Sequence, residues 1–188
     1  GGITRYSLSP EAIMARNEFI KRMKAIGAEI EIDDVANIYA TLPGTDPDAK
    51  RIVMASHCDS VKNGGNYDGI LGVMSAMEVL ETVHEKNIPH KHPLTAMIWT
   101  NEEGSLYPPA MMCSGIVCYD YLPEDIRCKF KYEDMMNSKS ILDNTSVKRL
   151  TSRASRATRS TACHPTDICI CLKLTSSKVL SLKMQETI

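Results

Sequence analysis

Apolar positions recur at helical spacing near the start of the chain. Ala12, Arg16, Phe19, Ile20, Met23 and Ile26 share one stripe, with a single charged residue, Arg16, among them. Ser9-Pro10-Glu11 precedes the stripe as a start signal: a capping hydroxyl, a proline at the first helical position and an acid facing the helix dipole. Gly27 can close the helix. The period then shortens to two. Ile30 and Ile32 within Glu29–Ile32, then Ile38, Ala40 and Leu42 within Asn37–Leu42, predict half-buried strands, the second stopped by Pro43-Gly44. Arg51–Ser56 contains the unbroken run Ile52-Val53-Met54-Ala55, the mark of a strand covered on both faces. After a Gly64-Gly65 loop, Ile70, Val73, Met74, Met77 and Leu80 predict a helix from Gly69 to about Lys86. Pro93 then introduces a second buried strand, Leu94–Thr100. Strand, helix, strand with a right-handed crossover specifies an α/β domain.

Composition divides this picture in two. The 188 residues carry 22 basic and 23 acidic side chains, so the net charge of −1 offers no electrostatic footing for nucleic acid or a membrane surface. From Ser146 to Ile188, however, eight Lys/Arg face two acids, leaving 14 basic and 21 acidic residues before them. All ten glycines lie at or before Gly115, and the last 43 residues hold 13 Ser/Thr. Seven cysteines, an odd number without a CxxC pair, fit reduced thiols in a cytoplasmic protein. No run approaches the roughly 20 apolar residues of a membrane span.

Three polar clusters fall where predicted elements end, which is where open α/β sheets place ligands. His57-Cys58-Asp59 follows the first buried strand. Residues two apart share a face there, so Asp59 can orient the His57 ring and leave its other nitrogen for a metal. Asp68 lies at the mouth of the long helix, where a carboxylate meets the positive helix end and can bridge two cations. Glu102 and Glu103 follow the second buried strand. Adjacent carboxylates repel unless positive charge sits between them; one can ligate metal while the other takes a proton from water. Taken singly, the three clusters also read as a capped strand-end histidine, a helix-capping aspartate and a solvated charged turn. Together they supply donors suited to zinc or manganese.

These residues carry a family resemblance. Ala55–Val61 (ASHCDSV), Asn63–Gly69 (NGGNYDG) and Trp99–Gly104 (WTNEEG), with the later Pro109-Ala110-Met111 and Ser114-Gly115, resemble the two-metal aminoacylase/carboxypeptidase superfamily. Within it they resemble the N-carbamoyl-L-amino-acid hydrolases and allantoate amidohydrolases, from Gly1 to about Asp143. The resemblance implies His57 on one metal, Asp68 bridging both and Glu103 on the second. It makes Glu102 the general base and Asp59 the residue that orients His57. The cofactors implied are two divalent ions, Zn2+ foremost, with Mn2+ or Co2+ as alternatives. The implied reaction is hydrolysis of an amide or ureido carbonyl in a small-molecule substrate.

Two further histidine ligands of that family, one in a His-Ile-Glu-Gln-Gly motif, have no counterpart in this frame. His84, His90 and His92 fall in a charged segment and read as solvated loop, and Cys163-His164 with Cys169 and Cys171 fits no standard zinc finger. The genetic code offers an account of the tail. Permitted codons for Leu174 to Thr187, read from the third base of the first codon, encode His-Ile-Glu-Gln-Gly-Pro-Val-Leu-Glu-Asp-Ala-Gly-Asn. The frame is therefore expected to change near Asn144–Ser146.

The expected fold is an α/β three-layer sandwich with a mixed sheet, a zinc-exopeptidase-like catalytic domain incomplete at both ends. Residues 1–145 form the partial metallo-amidohydrolase domain, and residues 146–188 an anomalous basic tail, out of frame or disordered. The resemblance implies a homodimer, although the family's dimerisation domain is not expected here. With three of five implied ligands, little turnover is expected. Two alternatives remain: a metallo-exopeptidase or aminoacylase of the same superfamily, and a metal-free remnant or interaction module.

Overall fold

Ser9 caps the first helix, α1 (Pro10–Ala25), its hydroxyl accepting the Ala12 N–H at 3.3 Å. The chain leaves α1 through Gly27 at φ +79°, a left-handed turn open to glycine without strain. This is a computed structural model; it describes residues 1–33, 35–118, 124–127 and 168–173.

Five strands make one mixed sheet in the order β1-β2-β4-β3-β5. β1 (Glu29–Ile32) pairs antiparallel with β2 (Ile38–Leu42), and β2 pairs antiparallel with β4 (Leu94–Trp99). β4 then runs parallel to β3 (Arg51–His57), as a crossover through the helix α2 (Ile70–Glu85) requires. The expected α/β class and mixed sheet are present. β3 and β4 are buried over most of their length, as their apolar runs predict.

β2 departs from its pattern. Alternation predicts half-burial, but all five residues are buried, because β2 lies inside the sheet between β1 and β4. Its polar positions bury by pairing: the Tyr39 hydroxyl donates to Asp33 at 3.0 Å, and the Thr41 and Thr95 hydroxyls meet at 2.9 Å. The edge strand β1 keeps the predicted half-burial.

Phe19 and Met23 of α1 and Val73, Ala76, Met77 and Leu80 of α2 pack on Ile38, Ala40, Met54, Ala96 and Ile98 of the sheet. Burying side chains of this size contributes roughly 1.5–3 kcal/mol each, which fixes both helices on this face. Arg22 and Glu81 tie α1 to α2 through two hydrogen bonds of 3.0 and 2.7 Å. The opposite face presents Tyr39, Val53, Ala55, Met97 and Trp99, against which Val117 of α3 (Met112–Val117) packs. A short α4 (Glu124–Arg127) follows.

Six residues of the segment expected to be out of frame or disordered, Ile168–Lys173, form β5 beside β3, parallel to it. The remainder of residues 146–188 lies outside the described residues. So do Cys163 and His164.

The topology decides what meets at the site. β3 and β4 are parallel neighbours, and His57 pairs with Trp99 at their common end. Both chains therefore leave the sheet at the same edge, which sets His57-Cys58-Asp59 against Thr100–Glu103.

Candidate active site

His57 ends β3 and is 2% exposed. Its Nδ1 lies 3.0 Å from the backbone oxygen of Asp59. A carbonyl only accepts, so Nδ1 donates to it and Nε2 is the ring nitrogen turned to the other side. The orienting partner expected from the sequence was the Asp59 carboxylate, which stands 3.7 Å away. The carbonyl takes the role because the chain turns sharply after the strand. The carboxylate is engaged elsewhere: Asp59 Oδ1 accepts the Glu102 N–H at 3.3 Å, and Oδ2 accepts the Glu103 N–H at 3.1 Å. Burial raises the Asp59 pKa, against the pull of the Glu103 N–H, His57 and the Glu102 N–H.

Two carboxylates face the other side of the ring. Asp68 Oδ1 lies 3.9 Å and Glu102 Oε2 3.8 Å from His57 Nε2. Asp68 stands just before α2, whose cap is Gly69, so the aspartate is not the helix-capping residue. Gly69 has φ +68°, and a Cβ built there would lie 2.6 Å from His57 Nε2. Its carbonyl is held by the Ser56 hydroxyl at 2.7 Å. Glycine is thus required twice, by backbone conformation and by the ring that occupies the space.

Glu103 enters the cluster electrostatically. Burial raises its pKa; His57 lowers it, and Asp68, Glu102 and Asp59 raise it further. Like charges close by disfavour the ionised form of a carboxylate.

Of the residues singled out in the sequence, the carboxylates of Asp59, Asp68 and Glu102 stand 3.7–3.9 Å from the His57 ring nitrogens, and Glu103 is tied in through its backbone N–H to Asp59. Among the described residues, no group of three or more His, Cys, Asp or Glu side chains forms a ready metal cage. The donor chemistry nevertheless suits a divalent ion: an imidazole nitrogen stands 3.9 Å from the Asp68 carboxylate, and the Glu103 carboxylate interacts electrostatically with both. His84 is exposed, and the Nδ1 atoms of His90 and His92 lie 2.8 Å from the backbone oxygens of His92 and Lys50.

Several supporting residues escaped the sequence reading. Arg5 donates to the Cys58 carbonyl, and Ser60 exchanges hydrogen bonds with Arg5 at 2.8 Å in each direction. Ile3 pairs with Gly64, so the N-terminal segment straps the loop between His57 and Asp68. These are backbone contacts between distant segments, for which residue type is a poor signal. Arg16 and Thr100 also reach this region. The signal for Arg16 was its lone charge on the apolar stripe of α1.

Known proteins agree with this architecture. The model of Peptidase family M28 matches residues 37–168. The chain belongs to this family. It is 38% identical over 116 residues to an N-carbamoyl-L-amino-acid amidohydrolase of Rhizobium meliloti, covering 62% of this chain and 28% of the relative. It is also 38% identical over 115 residues to an allantoate amidohydrolase of Bacillus subtilis, covering 61% and 28%. A hydantoinase/carbamoylase family amidase from Burkholderia ambifaria superposes with a TM-score of 0.62 at 34% identity, over 66% of this chain and 30% of that one. The resemblance read from the motifs is thereby borne out. The chain spans under a third of the length of these relatives. No helix among the described residues is long and apolar enough to cross a membrane.

Proposed function

We propose that this chain carries part of the active site of a metal-dependent amidohydrolase acting on linear amide or ureido C–N bonds. N-carbamoyl-L-amino acids and allantoate-like compounds are the substrate class, by analogy with the relatives' names. The observation that carries the proposal is His57 Nε2 facing the carboxylates of Asp68 and Glu102 at 3.9 and 3.8 Å.

His57, Asp68 and Glu103 would hold two divalent ions, zinc foremost. When bound, such ions supply Lewis acidity for the attack of water on a carbonyl carbon. Glu102 accepts the proton of the attacking water and passes it to the leaving nitrogen. Asp59 keeps Glu102 and Glu103 in register through their backbone N–H groups. His57 stays in one tautomer through the Asp59 carbonyl.

By itself the 188-residue chain offers three of the five side chains that the family resemblance implies, so weak metal binding and little turnover are expected of it. Titration with Zn2+ and Mn2+ tests the site: binding that His57→Ala abolishes supports it, and indifference to that substitution refutes it. A second reading, metallo-exopeptidase, is favoured by the peptidase family model. Ammonia release from a carbamoyl amino acid, against cleavage of a dipeptide or an N-acetyl amino acid, separates the two in a protein spanning the relatives' length.

A further inference from the structure

We propose that Arg16 is a positioning residue for the Asn101–Glu103 turn, acting through Thr100; the proposal rests on reading that turn as part of a hydrolytic site. Arg16 sits on the buried face of α1 at 2% exposure. Its Nη1 donates to Thr100 Oγ1 at 2.8 Å, and its Nη2 donates to the Ala36 carbonyl. The Thr100 hydroxyl donates in turn to the same carbonyl at 2.6 Å. Ala36 has φ +65°, a left-handed conformation unusual for alanine, in the turn that presents this carbonyl to both donors.

The backbone of Thr100 is held as firmly. Its N–H donates to Asn37 Oδ1 at 2.9 Å. The Asn37 amide nitrogen and backbone N–H donate to the two Asp33 carboxylate oxygens at 2.8 and 2.7 Å. Thr100 is thus fixed through side chain and main chain by α1 and by the β1–β2 turn. The next residue, Asn101, is fully buried at φ +53°, and Glu102 and Glu103 follow. A turn that seats two repelling carboxylates beside a third needs such an anchor, because nothing in a free turn would hold them together without a cation.

Stability alone does not account for Arg16. Its Nε is buried without a hydrogen-bond partner, and its charge has been taken out of water. Replacing a buried charge network with a well-packed apolar side chain is often neutral or stabilising. What a methionine in this slot lacks is the fork that joins Thr100 to Ala36. The unfavourable burial is therefore a price met for placement of the turn.

The test separates placement from stability and needs no turnover. In Arg16→Met, amide hydrogen exchange at Glu102 and Glu103 should quicken at least about tenfold while Met97 in β4 keeps its protection and the urea midpoint holds. Arg16→Lys should fall between. Thr100→Val should repeat the effect and Thr100→Ser should restore wild-type exchange, which carries the test if Arg16→Met fails to fold. Unchanged exchange at Glu102 and Glu103 in Thr100→Val, or equal acceleration at Met97, would overturn the proposal. Mn2+ titration runs alongside. If Mn2+ binding proves indifferent to His57→Ala yet the exchange pattern appears, the hydrolase reading falls and the positioning role stands.

Discussion

Asp59 Oδ2 accepts the backbone N–H of Glu103 at 3.1 Å, so the strand end that carries His57 is tied to the strand end that carries both glutamates. One carboxylate serves two amides, since Oδ1 takes the Glu102 N–H at 3.3 Å. Asp59→Ala leaves both buried donors unmet. Groups that orient metal ligands typically alter affinity by about 10–100-fold when removed. A drop of that size in Zn2+ affinity is expected by calorimetric titration, and wild-type affinity in the variant would contradict the role.

Gly69→Ala places a methyl group where the His57 ring lies, at a backbone conformation of φ +68°. Neither the ring nor the start of α2 can yield without moving a site residue. A loss of about 1–3 kcal/mol in unfolding free energy is expected from strain and overpacking. Urea denaturation measures it, and an altered His57 ring resonance in the NMR spectrum should accompany it.

Asp33 predicts a pH dependence. Burial raises its pKa, opposed by hydrogen bonds from Asn37, Tyr39 and Val35. Below the unfolded value of about 3.9 both states hold the proton. Above it the folded state retains a proton that the unfolded chain releases, so this group's contribution to stability falls as pH rises through the folded pKa. Asp33→Asn lacks that titration. The stability difference between wild type and variant should therefore move towards the variant as pH rises from the unfolded value of about 3.9; a flat or opposite trend in urea midpoints would refute it.

Arg22 and Glu81 join the two helices on one face of the sheet, with side-chain exposures of 37% and 16%. The forked geometry is favourable, yet the arginine is partly solvated. Arg22→Ala should cost only about 0.5–1 kcal/mol, and less in 1 M salt. A loss of several kcal/mol would mean that the pair is far less screened than its exposure indicates.

The elements were legible because local rules decided them. Ser9 and Pro10 start α1 where their chemistry requires, and the runs Ile52–Ala55 and Leu94–Trp99 form buried parallel neighbours. β2 was misread because alternation cannot distinguish a solvated face from one whose polar groups bury in pairs, as Tyr39 and Thr41 do. The three polar clusters were legible as lying at element ends, and β3, α2 and β4 end or begin beside them. Which oxygen of Asp59 orients His57 was not legible, since carbonyl and carboxylate lie on the same residue.

From the amino-acid order alone came the donor types, their places at the ends of strands and helix, and the break in composition after residue 145. These are local properties of side chains and of hydrophobic period. The parallel register of β3 with β4, the room that Gly69 leaves for the His57 ring and the burial of Arg16 under Thr100 were settled only by folding. Each depends on segments many residues apart sharing one volume, and excluded volume and hydrogen-bond direction act between neighbours in space, whatever their separation along the chain.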